Sequence, residues 1–202
     1  MLKYFIILFH CLLPFFVLGQ KGVGMEQYYY WQSKSANTIV PKLFYQSPKN
    51  WHAEFRYNYE DVQTASIHFG KKFSLPDVLD LEVTPMGGLI FGKLNGASFG
   101  SLLELSYNKL SFCSEPQYVR SFHHNDESYF YSWSELVYDF SSSIYGGAAL
   151  QQTKPYQQTN VFEPGVVAAA SIGNFEIPFY CFSPFGINRN FVLGINWQWQ
   201  KK

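Results

Sequence analysis

The segment from Trp51 to Phe73 alternates apolar and polar side chains along two arms of about ten residues each. One set of alternate positions is mainly apolar: Trp51, Ala53, Phe55, Tyr57, Tyr59, Ala65, Ile67, Phe69 and Phe73. The other set is mainly polar: His52, Glu54, Arg56, Asn58, Glu60, Ser66, His68, Gly70 and Lys72. Because successive side chains of a strand point to opposite faces, this pattern predicts an antiparallel hairpin with one apolar and one polar face. Arms of about ten residues are long enough for tilted strands to cross a bilayer.

The rest of the chain repeats this pattern between turn residues. The further predicted strands are Gln27–Ser33, Thr38–Gln46, Leu81–Phe91, Ala97–Tyr107, Leu110–Phe122, Tyr129–Phe140, Ile144–Thr153, Pro164–Ile172, Ile177–Ser183 and Phe191–Gln200. With the two arms of the hairpin they predict an all-β, antiparallel, up-and-down transmembrane β-barrel of about twelve strands. Ten strands are the alternative, if Gln27–Ser33 stays outside the barrel and Leu110–Phe122 is partly loop.

Glycine and proline mark the places where this regular pattern is under strain. The pair Gly87-Gly88 predicts a bulge or kink inside its strand. Four prolines also fall within predicted strands: Pro41, Pro85, Pro116 and Pro178. A closed barrel has no edge strand on which a missing N–H costs little, so we expect these prolines at strand ends or bulges.

The first nineteen residues have the features of a secretory signal peptide. Lys3 supplies a positive start, Tyr4 to Leu18 is mostly apolar, and Gly19 ends a small-residue cleavage site. The predicted division is a cleaved signal peptide, residues 1–19, followed by an outer-membrane barrel, residues 20–202. The apolar run of about fifteen residues is short for a membrane-spanning helix. An exported chain of this kind would enter a membrane as a closed barrel.

Composition excludes two other classes of protein. Aromatic residues make up 20% of the 202 residues and charged residues 15%, which is too aromatic and too weakly charged for a disordered chain. The formal net charge is zero, so no basic field draws in nucleic acid. Two cysteines follow the signal segment, Cys113 and Cys181. Their predicted strands are four apart, about 19 Å, so we expect free thiols.

If the apolar faces contact lipid, the polar faces line the lumen. The predicted lumen-lining residues are His52, Glu54, Arg56, Glu60, His68, Lys72, Glu82, Glu104, Glu115, Glu135 and Gln198. They predict either paired charges that fill the lumen or a narrow hydrophilic pore. Acids outnumber bases among them, which favours cations in an open pore. The aromatics expected at the membrane interfaces are Tyr28, Tyr29, Tyr30, Trp31, Tyr57, Tyr59, Trp197 and Trp199.

The signal segment ending in Gly before Gln, the aromatic strands and the closing FVLGINWQWQKK resemble Gram-negative outer-membrane β-barrel proteins. The segment NWHAEFRYNYEDVQTASIHFGKKF is similar to a theme in uncharacterised small barrels of that kind. The resemblance implies an outer-membrane location, with outer-membrane lipid and the barrel insertion machinery as partners. The role that follows is a small passive pore for a hydrophilic solute or ion, or a structural barrel.

Two other classes of function stay open from the sequence. An outer-membrane lipid hydrolase or acyltransferase would need Ser66, His68 and Glu54 or Glu60 to converge at the lipid rim. The sequence has no GxSxG, HExxH or phosphate-binding glycine loop, so we predict no enzyme and no cofactor. The cluster from His123 to Glu127 is expected to be a solvated loop and no metal site. A soluble secreted β-barrel binding protein would show the same alternation with its apolar face inward.

Overall fold

The structure is a computed structural model that describes residues 22–32, 36–76, 79–186 and 189–200. The predicted signal peptide, residues 1–19, lies outside the described residues. The strands are β1 (Gly22–Gln32), β2 (Thr38–Gln46), β3 (Trp51–Tyr57), β4 (Thr64–Lys71), β5 (Phe73–Pro76), β6 (Asp80–Gly92), β7 (Gly96–Tyr107), β8 (Leu110–Ser121), β9 (Tyr129–Asp139), β10 (Ile144–Pro155), β11 (Val161–Ile172), β12 (Phe175–Phe182) and β13 (Asn190–Gln200). One short 3₁₀ helix, Asn125–Glu127, lies between β8 and β9.

The strands form one closed antiparallel barrel. Neighbouring strands pair in chain order, and β1 closes the sheet by pairing with β13. Strands β4 and β5 both pair with β6 and are separated only by Lys72, so they are two parts of one barrel strand. The barrel therefore has twelve strands. This confirms the fold and the strand number expected from the sequence, and it rules out the ten-stranded alternative.

Three of the four strand prolines coincide with gaps in the pairing ladders, while Pro41 lies in the unbroken β1–β2 ladder, one residue before the β2–β3 ladder begins. The β12–β13 ladder skips Ile177 and Pro178 and then continues in the same register. The β7–β8 ladder has an equivalent gap at Pro116, and Pro85 faces the break between β4 and β5. Because proline has no N–H to donate, each gap is the local cost of placing it inside a closed sheet. The register is unchanged across each gap, so no extra residue is inserted and the expected bulges do not form there.

Two local expectations were wrong. Strand β1 begins at Gly22, five residues before the predicted start at Gln27. The pair Gly87-Gly88 makes no bulge, since β6 pairs continuously with β4 through both residues. At Gly88 the missing side chain gives space to a neighbour, because a Cβ there would lie 2.3 Å from Cδ2 of His68.

The two faces of the sheet differ sharply in polarity. Large apolar side chains are exposed on the outer surface, among them Phe69, Leu89 and Phe99 at 64%, 62% and 69%. Polar and charged side chains are buried on the inner face, including Lys42, His52, Glu54, Arg56, Ser66 and His68. The barrel is thus apolar outside and polar inside, the reverse of a soluble barrel. No helix in the described part of the chain is long and apolar enough to span a membrane.

Candidate functional site

Arg56 is the centre of a buried charge network inside the barrel. Its side chain is fully buried, its Nε donates to Oε2 of Glu54 at 2.7 Å, and its Nη2 lies 2.5 Å from Oε1 of Glu115. Its Nη1 donates to Oε1 of Gln117 at 2.9 Å. Taking a guanidinium out of water is costly unless carboxylates and hydrogen bonds replace the water, and both are present here. The network fixes charges of both signs across the interior.

Lys42 extends this network to the next strands. Its Nζ lies 2.9 Å from Oε2 of Glu26 and 3.7 Å from Oε2 of Glu115. Glu26, Lys42 and Arg56 are direct cross-strand neighbours on β1, β2 and β3. The inward side chains of three adjacent strands therefore form a row of one carboxylate and two cations, whose charge is balanced by Glu54 and Glu115. Glu26 and Lys42 were not among the predicted lumen-lining residues; Glu26 precedes the predicted start of its strand at Gln27, whereas β1 begins at Gly22.

The side chains proposed for a lipid-active enzyme are not arranged for that chemistry. The hydroxyl of Ser66 donates to Oε2 of Glu60 at 2.8 Å, while Nε2 of His68 lies 2.6 Å from Oγ of Ser98. Ser66 is 0% and His68 1% exposed, on the lumen side of β4. Nε2 of His68 also lies 3.8 Å from Oε1 of Glu60, but the serine and the imidazole have different hydrogen-bond partners and neither reaches the outer surface. A nucleophile and base at the lipid rim are therefore not formed by these residues.

Two further predicted residues complete the polar interior near Arg56. Nε2 of His52 lies 2.7 Å from Oε1 of Glu54, so this carboxylate contacts both the imidazole and Arg56. Glu60 follows the end of β3 and is buried 3.9 Å from Nη1 of Arg56. Burial raises the pKa of the Glu60 carboxyl, and the nearby guanidinium opposes that rise only in part. Glu60 therefore retains its proton to higher pH than an exposed glutamate.

A second ion cluster lies toward the end of the barrel where β1 begins at Gly22 and β13 ends at Gln200. Nζ of Lys72 contacts Oε2 of Glu82 at 2.5 Å and Oε2 of Glu104 at 3.2 Å. Glu82 and Glu104 are direct cross-strand partners, and Ser74 donates to Glu82 at 2.9 Å. Gln198 is exposed at the mouth on this same end, beside the turn between β11 and β12.

The expected aromatic girdle is only partly formed. Tyr28 and Tyr30 point into the barrel, because they share the inner face of β1 with Glu26. Tyr59 also points inward, since it follows Asn58, whose φ is +58°, and its ring centroid lies 4.4 Å from the guanidinium carbon of Arg56. The interfacial assignment of these three tyrosines was wrong. The other aromatics belong to the outer face of their strands: Tyr29, Trp31, Tyr57, Trp197 and Trp199.

The interior contains a cavity of about 500 Å³ with an unusual lining. Its charged residues are six carboxylates and one amine: Glu26, Glu104, Glu115, Glu135, Asp139, Glu176 and Lys42. Six aromatic side chains also line it: Tyr28, Tyr30, Tyr59, Trp133, Tyr145 and Tyr180. Sequence reasoning found three of these carboxylates and missed the rest, because polar alternation weakens where tyrosine and tryptophan occupy inward positions.

The aromatic side of this cavity is a packed cluster on β9 and β12. The ring centroid of Trp133 lies 4.9 Å from that of Tyr180 and 5.1 Å from that of Phe182, both in edge-on contact. The indole N–H of Trp133 and the hydroxyl of Tyr180 both donate to Oε1 of Glu135, at 2.5 and 2.9 Å. One wall of the lumen is therefore ionic and the opposite wall is aromatic.

Tyr59 separates this cavity from the other end of the barrel. Two smaller cavities, of about 310 and 260 Å³, lie toward the loops between β3 and β4 and between β8 and β9. Tyr59 lines all three cavities, and its ring meets Tyr131 edge-on at 6.1 Å. The ring of Tyr59 therefore lies where the three cavities meet, in contact with Tyr131.

No group of side chains suited to a metal ion occurs among the described residues. The loop from His123 to Glu127 is exposed and contains the 3₁₀ helix, with Glu127 accepting a hydrogen bond from Ser121. Cys113 and Cys181 are free thiols, on β8 and β12.

Neither a protein-family model nor a curated protein matches the sequence. Solved structures do match the fold. The chain is similar to a NanC porin with a TM-score of 0.62 at 12% identity, and to a KdgM porin with a TM-score of 0.59 at 11% identity. In both comparisons the match covers 86% of this chain and 98% of the other. The chain therefore has a closed antiparallel twelve-stranded β-barrel fold like that of these small porins.

Proposed function

We propose that this protein is an outer-membrane β-barrel that acts as a small passive pore for hydrophilic solutes. One observation carries the proposal: a closed barrel exposes apolar side chains outward and encloses charged, cavity-containing space. Contiguous apolar surface of this extent is rare on soluble monomers but is what lipid requires. The likeness to NanC and KdgM porins supports the same arrangement.

The predicted export signal supports an outer-membrane location. Cleavage of residues 1–19 would deliver the barrel to the insertion machinery and to outer-membrane lipid. The soluble secreted alternative requires the exposed apolar face to be covered, and the inner face of this barrel is already filled by polar side chains. That alternative predicts purification without detergent.

The solute class follows from the lumen. One solved KdgM porin, matched at 12% identity with a TM-score of 0.58, contains a disordered oligogalacturonate. This supports a small hydrophilic solute for the present chain. An oligogalacturonate is a polyanion, however, and the cavity here has six carboxylates against one lysine. We therefore expect preference for cations over anions.

Conductance in planar lipid bilayers tests the pore directly. Purified protein should produce discrete steps of ionic current. Under a salt gradient, the sign of the reversal potential should show that cations pass more readily than anions. Glu104→Gln removes one carboxylate of the 500 Å³ cavity and should reduce that preference more than Asp126→Asn, which lies at the loop end of the barrel. A preference for anions would contradict the assigned polarity.

A structural barrel without transport is the second candidate. The Arg56 network and the Tyr59–Tyr131 contact favour it, because both reduce the open cross-section of the lumen. Protein that inserts into bilayers and shows no conductance at any salt concentration would establish this second role.

A further inference from the structure

Three carboxylates in the 500 Å³ cavity have no basic partner. Glu26 and Glu115 contact Lys42, and Glu104 contacts Lys72. Within the described ranges, no Lys, Arg or His nitrogen lies within 4 Å of the carboxylates of Glu135, Asp139 or Glu176. Hydrogen bonds from Trp133, Tyr180 and Asn196 satisfy oxygens of Glu135 and Glu176 but do not neutralise the negative charge. Buried charge without an opposite charge is costly, and a cation in the cavity would offset that cost.

The same region of the cavity presents aromatic side chains. Trp133 and Tyr180 line it on β9 and β12, the strands that carry the three carboxylates, and Tyr145 lines it on β10, next to β9. Tyr145 is the direct cross-strand partner of Asp139, and Tyr180 donates its hydroxyl hydrogen to Glu135. Aromatic faces attract an organic cation through the ring quadrupole and also contact its apolar carbons. Aromatic rings with carboxylates are the combination that binds an organic ammonium group.

This part of the cavity is reachable from one end of the barrel. A neighbouring cavity of about 450 Å³ shares Glu26, Ser171, Glu176 and Asn196 with it and extends to Gly173 and Asn174 in the β11–β12 turn. A solute can therefore approach from the end of the barrel that carries the β11–β12 turn, without passing Tyr59. Volumes of a few hundred Å³ are typical of small-molecule sites.

We propose that this cavity binds small organic amines, held by Glu135, Asp139 and Glu176 against the rings of Trp133 and Tyr145, while the buried Tyr180 positions Glu135. The inference rests on the proposed pore and names its solute class. A neutral sugar would also stack on these rings, but it would leave the three carboxylates uncompensated. A small anion would add to their repulsion.

Spermidine binding to the detergent-solubilised, folded barrel, measured by isothermal titration calorimetry, tests the proposal apart from conductance. Spermidine should bind, while glucose and gluconate should not bind measurably. The variant Glu135→Gln/Asp139→Asn/Glu176→Gln should weaken spermidine at least about tenfold, since hydrogen bonds to charged groups are the strong ones. The control Asp61→Asn/Asp126→Asn/Glu163→Gln removes as much charge outside the cavity and should leave affinity unchanged.

The outcomes separate the two proposals. Spermidine binding without conductance would keep the amine site and refute the pore. Three results would overturn the amine site even if the barrel conducts. They are equal affinity for spermidine and gluconate, tighter binding of glucose than of spermidine, and an equal loss of spermidine affinity in both triple variants. If the cavity variant does not fold, Asp139→Asn alone decides the question: weaker spermidine binding supports the site, and unchanged binding contradicts it.

Discussion

At the scale of single residues, each large polar side chain of the interior has polar partners or faces a small residue on a neighbouring strand. Arg56 is fully buried yet meets Glu54, Glu115 and Gln117. His68 is accommodated because the facing position on β6 is Gly88. The glycine that suggested a bulge from sequence thus has a packing role, which no local pattern reveals because it depends on the partner strand.

The variant Gly88→Ala should destabilise the barrel by about 1–3 kcal/mol, the usual cost of overpacking. The new methyl group would collide with the imidazole of His68, which is 1% exposed and held by Ser98 at 2.6 Å. Gly87→Ala is the matched control, because a Cβ there has only one contact, at 3.7 Å from the carbonyl oxygen of Ser98. Urea unfolding of both variants in detergent measures the difference; equal stability of the two would contradict this packing role.

At the scale of strands, the period-two pattern predicted most of the architecture. It identified all twelve barrel strands and the inward position of Arg56. Alternation determines these faces because a shift of one residue would exchange the inward and outward side chains of the whole strand. It did not predict that prolines leave gaps without changing the register. Tyr28, Tyr30 and Tyr59 were expected at the membrane interfaces but line the lumen, because aromatic side chains suit both lipid and a polar lumen. Only the partners across the barrel distinguish these two environments.

A charge on the outer face of a strand tests the assignment of faces. Phe99 is 69% exposed on β7, beside Gly87 of β6, so Phe99→Arg should cost about 2–4 kcal/mol if it contacts the bilayer core. Phe122→Arg, in the loop after β8 and 63% exposed, is the control and should cost about 0–1 kcal/mol. Unfolding from lipid vesicles by denaturant measures both. A soluble barrel would tolerate the two substitutions equally.

At the scale of the whole molecule, one closed sheet separates lipid-facing side chains from a lumen of two unlike walls. Lys42, Arg56 and their carboxylates form the ionic wall, and Trp133 with Tyr180 and Phe182 forms the aromatic wall. The fold could be predicted from sequence because alternation is local. The cavity could not, because its lining comes from strands far apart in the chain, and the partners of each carboxylate depend on closure of the barrel.

Fractionation of expressing cells, followed by unheated and boiled gel electrophoresis of the membrane fraction, tests the central claim most directly. A closed barrel with a lipid-facing surface should appear in the outer membrane, require detergent for extraction, and migrate differently before and after boiling. Recovery in the soluble fraction, with the same migration before and after heating, would contradict the membrane barrel and with it the proposed pore.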